Sequence, residues 1–77
     1  MRLLLVEDEQ ALRESLTLQL QKHGYAVDSA ADGREAIYLA TEYDYDLAVI
    51  DLGLPEVDGL TVIRTIRDKG KRFPILV

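Results

Sequence analysis

Residues 47 to 59 read LAVIDLGLPEVDG, and this stretch decides how the rest of the chain is interpreted. The apolar run Leu47 to Ile50 is typical of a strand buried on both faces of a parallel sheet. Asp51 follows at once, and the turn-forming residues Gly53 and Pro55 come soon after it. The stretch therefore predicts a buried strand that delivers a carboxylate to the carboxyl edge of a sheet.

Three further short apolar runs lie outside this stretch: Leu3 to Val6, Tyr25 to Val27 and Pro74 to Val77. The second run is shorter and more polar, as expected for an edge strand, whereas the first and the fourth are expected to be buried on both faces. The spacing between the runs fits successive right-handed βα units. The sequence thus predicts a parallel α/β sheet in which strands and helices alternate.

The segments between the apolar runs have the periodicity of amphipathic helices. The first helix is expected to end at His23 and Gly24, because glycine accepts the left-handed conformation of a helix cap. The second is expected to begin at Asp32, which forms a capping-box pattern with Glu35, and the third to end near Gly70. The apolar positions that mark the helices are Leu12, Leu16 and Leu20 in the first, Ala36, Ile37 and Ala40 in the second, and Leu60, Ile63 and Ile66 in the third.

The composition narrows the classes of function. The chain has 77 residues, a net charge of −5 and no cysteine. An acidic protein is not attracted to phosphate backbones, so no direct nucleic-acid binding is expected. The lack of cysteine excludes disulfides and thiolate zinc sites and suits a cytoplasmic protein. The first apolar run is too short for a signal peptide or a membrane span, so no membrane association is expected.

Acidic residues follow two of the predicted strands at the point where each strand ends. Glu7 and Asp8 come after the first strand, and Asp51 comes after the third. Open α/β sheets bind ligands at this edge, and neighbouring strands would bring the three carboxylates together, where repulsion favours a raised pKa or a bound cation. Oxygen ligands indicate Mg²⁺ rather than zinc. The candidate metal ligands are Asp8, Asp51 and a backbone carbonyl near Gly53, with Glu7 acting through water.

Other interpretations of these acids must be weighed. Residues 7 to 9 precede a helix, where acidic side chains are favoured by the helix dipole without binding any ligand. Asp51 is harder to explain in this way, because it interrupts an apolar run at the sheet edge. A phosphatase with an aspartate nucleophile is disfavoured because Gly53 stands where that chemistry usually has a second aspartate. A calcium loop is disfavoured because residues 52 to 57 are almost all apolar.

Taken in series, LLVEDE at residues 4–9, DLGLP at 51–55 and DG at 58–59 resemble the receiver domains of two-component response regulators. The resemblance extends over the whole chain and is to the OmpR and PhoB class, with the DLGLP run most similar to PhoP-type regulators. It implies a flavodoxin-like, CheY-like parallel sheet of order 2-1-3-4-5. Residues 1–77 would form one receiver domain that contains the first four strands and the first three helices and is incomplete at its C-terminus.

The resemblance implies that Asp51 is the phosphoacceptor, that Asp8, Asp51 and the Gly53 carbonyl hold Mg²⁺, and that Glu7 supports the ion. It implies a regulatory domain rather than an enzyme, with a sensor histidine kinase as partner and DNA binding in a separate effector domain. The Ser or Thr and the Lys that the family places after its fourth and fifth strands are not among residues 1–77. We therefore expect this chain to bind Mg²⁺ weakly and to be phosphorylated slowly or not at all.

An alternative hypothesis is that the chain is an interaction fragment that carries out no phosphoryl transfer. Residues 74 to 77 would form a strand rich in Ile, Leu and Val whose outer edge has no partner. Unpaired edges of this kind invite pairing with another chain. This hypothesis predicts self-association.

Overall fold

The computed structural model describes all residues, 1–77. Its elements are β1 (Arg2–Val6), α1 (Gln10–Lys22), β2 (Ala26–Ala30), α2 (Gly33–Glu42), β3 (Leu47–Ile50), α3 (Gly59–Asp68) and β4 (Ile75–Leu76). All strand pairs are parallel, and the strands lie in the order β2-β1-β3-β4. The predicted α/β architecture is confirmed. None of the three helices combines the length with the hydrophobicity that a membrane span requires.

The position of β1 between β2 and β3 determines where the acidic residues lie. Val6 pairs with Ala30 on one side and with Ile50 on the other. The pairing continues beyond the strands, because the N–H of Asp51 donates to the carbonyl of Val6 at 3.0 Å and the N–H of Glu7 donates to that of Ala30 at 3.1 Å. The loops after β1 and β3 therefore leave the carboxyl edge of the sheet side by side.

Each helix begins at an acidic residue whose carboxylate accepts a backbone N–H one turn further on. The predicted cap, Asp32, accepts from Glu35 at 2.9 Å. Glu9 and Asp58, which were not predicted as caps, play the same part for α1 and α3. Helix α1 ends at His23 and Gly24 as predicted, and Gly24 has a φ of +92°. These carboxylates satisfy N–H groups that have no partner within the helix.

The core lies mainly on one face of the sheet, beneath α2 and α3. It consists of 11 buried residues: Leu4, Val6, Ala30, Ala36, Ala40, Tyr45, Ala48, Ile50, Leu54, Val62 and Ile66. Leu3 and Leu5, which alternate with Leu4 and Val6 along β1, are buried on the opposite face. Helix α1 covers that face over β1 and β2, and none of its own residues is fully buried. The sheet is therefore much better covered on one side than on the other.

The expectation that the fourth strand is buried is wrong. Strand β4 contains only Ile75 and Leu76 and pairs on one side, with β3. Leu76 is 58% exposed and Val77 is 75% exposed, because no further strand or helix covers them.

Two other details of the sequence prediction also differ. Leu60 is 55% exposed, and the buried positions of α3 are Gly59, Val62 and Ile66, because the helix turns the side chain of its second residue away from the sheet. Strand β2 begins after Tyr25 and extends to Ala30. The strand continues past Val27 through the polar residues Asp28 and Ser29, which the apolar pattern does not include.

Candidate functional site

Three acidic side chains converge at the carboxyl edge of the sheet. Glu7 and Asp8 follow β1, Asp51 follows β3, and one carboxylate oxygen from each lies within 4.8 Å of the other two. Asp8 is exposed, whereas Glu7 and Asp51 are half-buried. The structure thus brings together the three carboxylates that the sequence predicted to meet.

The turn that follows Asp51 orients its carboxylate. The backbone N–H of Gly53 donates to Oδ1 of Asp51 at 2.9 Å. The other oxygen, Oδ2, accepts no hydrogen bond from the protein. The structure places Gly53 against the acid through its N–H, and Gly53 is itself an exposed residue of this turn. One carboxylate oxygen is therefore fixed while the other is left to bind or react.

The start of α3 packs directly on this turn. A Cβ atom on Gly59 would lie 2.7 Å from the carbonyl oxygen of Asp51 and 2.7 Å from Cα of Leu52. The N–H of Gly59 donates to the carbonyl of Leu52 at 3.3 Å. Glycine is needed at this position because backbone atoms occupy the space that a side chain would take. The Asp58-Gly59 pair was noted in the sequence only as part of a motif.

The electrostatics of Glu7 reflect its two acidic neighbours. A hydrogen bond from the N–H of Glu9, at 3.1 Å, lowers the pKa of Glu7. Partial burial and the negative charges of Asp51 and Asp8 act in the opposite direction and together raise this pKa above 4.5. The two ion pairs of the molecule, Arg2–Asp28 and Lys71–Asp44, lie elsewhere. No basic side chain therefore pairs with the three acids.

Arg13 also contacts this site and was not identified from the sequence. Its Nη1 donates to the carbonyl oxygen of Glu7 at 2.9 Å and, more weakly, to that of Asp8 at 3.4 Å. A basic residue close to the start of a helix is disfavoured by the helix dipole. In the sequence, this unfavourable position is the one sign that Arg13 makes a contact outside its own helix.

Comparison with known proteins leads to the same family as the sequence motifs. Residues 3–77 match the response regulator receiver domain family. Relatives include the two-component response regulator PhoP of Pseudomonas aeruginosa, 53% identical over 77 residues, and the transcriptional regulatory protein PhoP of Escherichia coli, 48% identical over 77 residues. Each match covers 100% of this chain and 34% of the relative, so the chain spans about a third of the length of these relatives.

Solved structures agree with this assignment. The response regulator protein TrrA of Thermotoga maritima, in complex with Mg²⁺-BeF, superposes with a TM-score of 0.90 at 40% identity, over 96% of this chain and 64% of that chain. The receiver domain of a sensor histidine kinase from Pseudomonas aeruginosa, with a magnesium ion coordinated in its active-site cleft, has a TM-score of 0.90 at 37% identity, over 96% and 62% of the two chains. The motifs, the fold and these relatives together place this chain in the response regulator receiver domain family, as a PhoP-like member of the OmpR and PhoB class.

Proposed function

We propose that Asp51 accepts a phosphoryl group from a sensor histidine kinase in a Mg²⁺-dependent reaction, and that this controls a transcriptional output located outside this chain. The observation that carries the proposal is the convergence of Glu7, Asp8 and Asp51 within 4.8 Å at the carboxyl edge of the sheet. Membership of the receiver family supports a phosphoacceptor role. The choice of Asp51 rests on its position directly after β3 and on the turn that orients it.

The donor atoms of the site fit Mg²⁺. Asp8, Asp51 and the carbonyl of Gly53 would hold the ion, and Glu7 would act through water. The three carboxylates are oxygen ligands and have no basic side chain paired with them, which suits a hard divalent cation. When bound, Mg²⁺ would offset the negative charge of the acids and of the incoming phosphoryl oxygens. The magnesium present in the TrrA and kinase receiver structures supports this choice of ion.

Asp51 is the nucleophile of the proposed reaction. Its Oδ1 is held by the N–H of Gly53, so Oδ2 is the oxygen available to form the bond to phosphorus while the nitrogen of the kinase phosphohistidine leaves. Phosphoryl transfer depends on positioning and charge stabilisation more than on covalent assistance. The chain therefore acts as a regulatory phosphoacceptor and not as an enzyme.

Phosphoramidate, a small phosphodonor, tests this assignment without a kinase. In the presence of Mg²⁺ the wild type should gain a single phosphoryl group, slowly and only after long incubation, detected by mass spectrometry and mapped to Asp51, and chelation of Mg²⁺ should prevent the gain. Asp51→Asn should stay unlabelled. Asp68→Asn removes an exposed acid at the far end of α3 and should be labelled like the wild type. Labelling of Asp51→Asn, or labelling that ignores the chelator, would contradict the proposal.

A second candidate function is assembly through β4. Leu76 and Val77 present exposed apolar side chains at a strand edge that has no partner. Such an edge is a template for pairing with another chain. Assembly of this kind does not require the acidic site, so Asp51→Asn would leave it unchanged while phosphoryl transfer is lost.

A further inference from the structure

The loop between β1 and α1 carries two of the three acids and has few backbone contacts of its own. The N–H of Glu7 is bound to β2, and the N–H of Glu9 is bound to the side chain of Glu7 at 3.1 Å. The carbonyl groups of Glu7 and Asp8 accept no backbone N–H. Their donor within the protein is the guanidinium of Arg13.

We propose that Arg13 is a positioning residue, whose guanidinium fixes the backbone of Glu7 and Asp8 and thereby sets the affinity of the acidic pocket for Mg²⁺. The inference rests on the proposed function, because it concerns the same pocket. Arg13 is half-buried, and its Nη1 bridges the two carbonyl oxygens at 2.9 and 3.4 Å. These are the peptide groups from which the two carboxylates project towards Asp51.

The contacts of Arg13 distinguish positioning from neutralisation. Arg13 takes part in neither ion pair of the molecule, and its donors are directed at carbonyl groups and not at the nearby carboxylates. A positive charge beside a cation site weakens cation binding by repulsion. If charge were the main effect, removing Arg13 would strengthen Mg²⁺ binding. If positioning dominates, the same change weakens it, so the two explanations predict opposite signs.

Titration of the protein with Mg²⁺, followed through the amide NMR shifts of the acidic loops, measures this affinity directly. Arg13→Met keeps an apolar stem and removes the donors. Loss of groups that orient metal ligands typically lowers metal affinity by 10-fold to 100-fold, and we expect about a tenfold weaker Mg²⁺ affinity here because Arg13 acts through the backbone. Unchanged or tighter binding by Arg13→Met would overturn the proposal.

Arg67 provides a matched control. Its Nη1 also bridges two carbonyl groups, those of Lys71 at 3.1 Å and Phe73 at 2.8 Å, but it does so before β4, at the opposite end of the sheet. Arg67→Met should therefore lower stability without changing the affinity for Mg²⁺. If Arg67→Met weakens Mg²⁺ binding as much as Arg13→Met does, the effect is a general loss of structure and the proposal fails.

A second variant keeps the test decisive if Arg13→Met does not fold. Arg13→Lys retains the positive charge, but a shorter side chain with a single ammonium does not reproduce the guanidinium contacts. Positioning predicts weaker Mg²⁺ binding by this variant, whereas a pure charge effect predicts no change. Failure of the proposed function would look different. In that case Mg²⁺ would shift no amide resonances of the wild type, or it would shift those of Asp51→Asn in the same way.

Discussion

Glu56 adopts a backbone conformation that side chains rarely accept. Its φ is +63°, in the left-handed region, and no other residue except glycine has a positive φ. It lies in the loop between β3 and α3, directly after Pro55 and shortly before the cap Asp58. Backbone strain of this kind collects in functional loops, where the surrounding structure enforces it. Here it is part of the turn that carries the chain from Asp51 to α3.

We expect Glu56→Asn to raise the free energy of unfolding by about 1 kcal/mol, because asparagine tolerates the left-handed region better than glutamate. Glu56→Ala should leave the stability nearly unchanged, because alanine lacks the short polar side chain with which asparagine hydrogen-bonds the local backbone in this region. Urea denaturation of the three proteins measures both differences. Equal stabilisation by alanine would mean that the glutamate charge, and not the backbone conformation, is unfavourable at this position.

Asp58 is a residue whose charge stabilises the fold in a pH-dependent manner. Hydrogen bonds from the backbone N–H and the side chain of Thr61 lower the pKa of Asp58 below 3.8. Because the folded pKa is below the unfolded value, the charged form favours the folded state. This contribution is present above the unfolded pKa and is lost as the pH falls through the folded pKa.

The wild type should therefore lose stability relative to Asp58→Asn in the acidic range below about pH 5, as the pH falls through the unfolded and then the lower folded pKa of Asp58, since asparagine is a cap that does not titrate. The measurement is the urea unfolding midpoint of both proteins across this range. Above about pH 5 the difference between them should be constant. A difference that stays constant at every pH would show that protonation of Asp58 does not affect folding.

Helix α3 and the loop after β3 behave as one packed unit because Gly59 lets them touch. Gly59→Ala places a methyl group 2.7 Å from backbone atoms of Asp51 and Leu52, so the helix or the loop must move. Overpacking of this kind costs about 1–3 kcal/mol, and we expect a loss of that size together with shifted amide resonances at Asp51.

Gly24→Ala is the control for Gly59→Ala. Gly24 also has a backbone conformation that disfavours alanine, with a φ of +92°, but no atom lies within 4 Å of an added Cβ. This variant should be destabilised by about 1–2 kcal/mol through backbone strain alone. Its Asp51 resonances should stay in place. A shift at Asp51 in both variants would mean that global destabilisation, and not local contact, perturbs the site.

At the level of whole elements, the sequence predicted the order of strands and helices and the acids that follow β1 and β3. Local signals were sufficient there, because capping residues and apolar runs act within a few positions along the chain. The burial of each strand and helix was predicted poorly, because it depends on residues that are distant in the sequence. The apolar character of residues 74 to 77 does not reveal that Leu76 and Val77 are exposed. The leucine periodicity of α1 does not reveal that none of its residues is fully buried against the sheet.

The candidate site shows the same division between local and distant information. The meeting of Glu7, Asp8 and Asp51 required β1 beside β3, an order that the family resemblance implied and the register confirms. Arg13 was missed because its role depends on a side chain that folds back from a helix onto the preceding loop. Periodicity and motif spacing carry no information about that contact.

At the scale of the whole molecule, the acidic pocket joins two unequally packed halves. Asp51 belongs to the half formed by β3 and α3, which contributes Ile50, Val62 and Ile66 to the core. Glu7 and Asp8 are held through Arg13 of α1, which has no fully buried residue. Segments with little buried apolar surface open at a lower free energy than the core does. Order in the pocket therefore depends on the less stable side of the sheet.

The unequal coverage leaves the edge strand β4 exposed, and two residues of similar exposure test whether the chain associates through it. Leu76 on β4 is 58% exposed and Leu18 on α1 is 60% exposed. Lysine at a strand edge opposes pairing with another strand, whereas the backbone groups of a helix are already satisfied. Burial of one leucine is worth about 1.5–3 kcal/mol, so Leu76→Lys should raise the dissociation constant of self-association at least about tenfold, measured by sedimentation equilibrium. Leu18→Lys should associate like the wild type. A wild type that stays monomeric at every concentration, or an equal effect of both substitutions, would rule out pairing through β4.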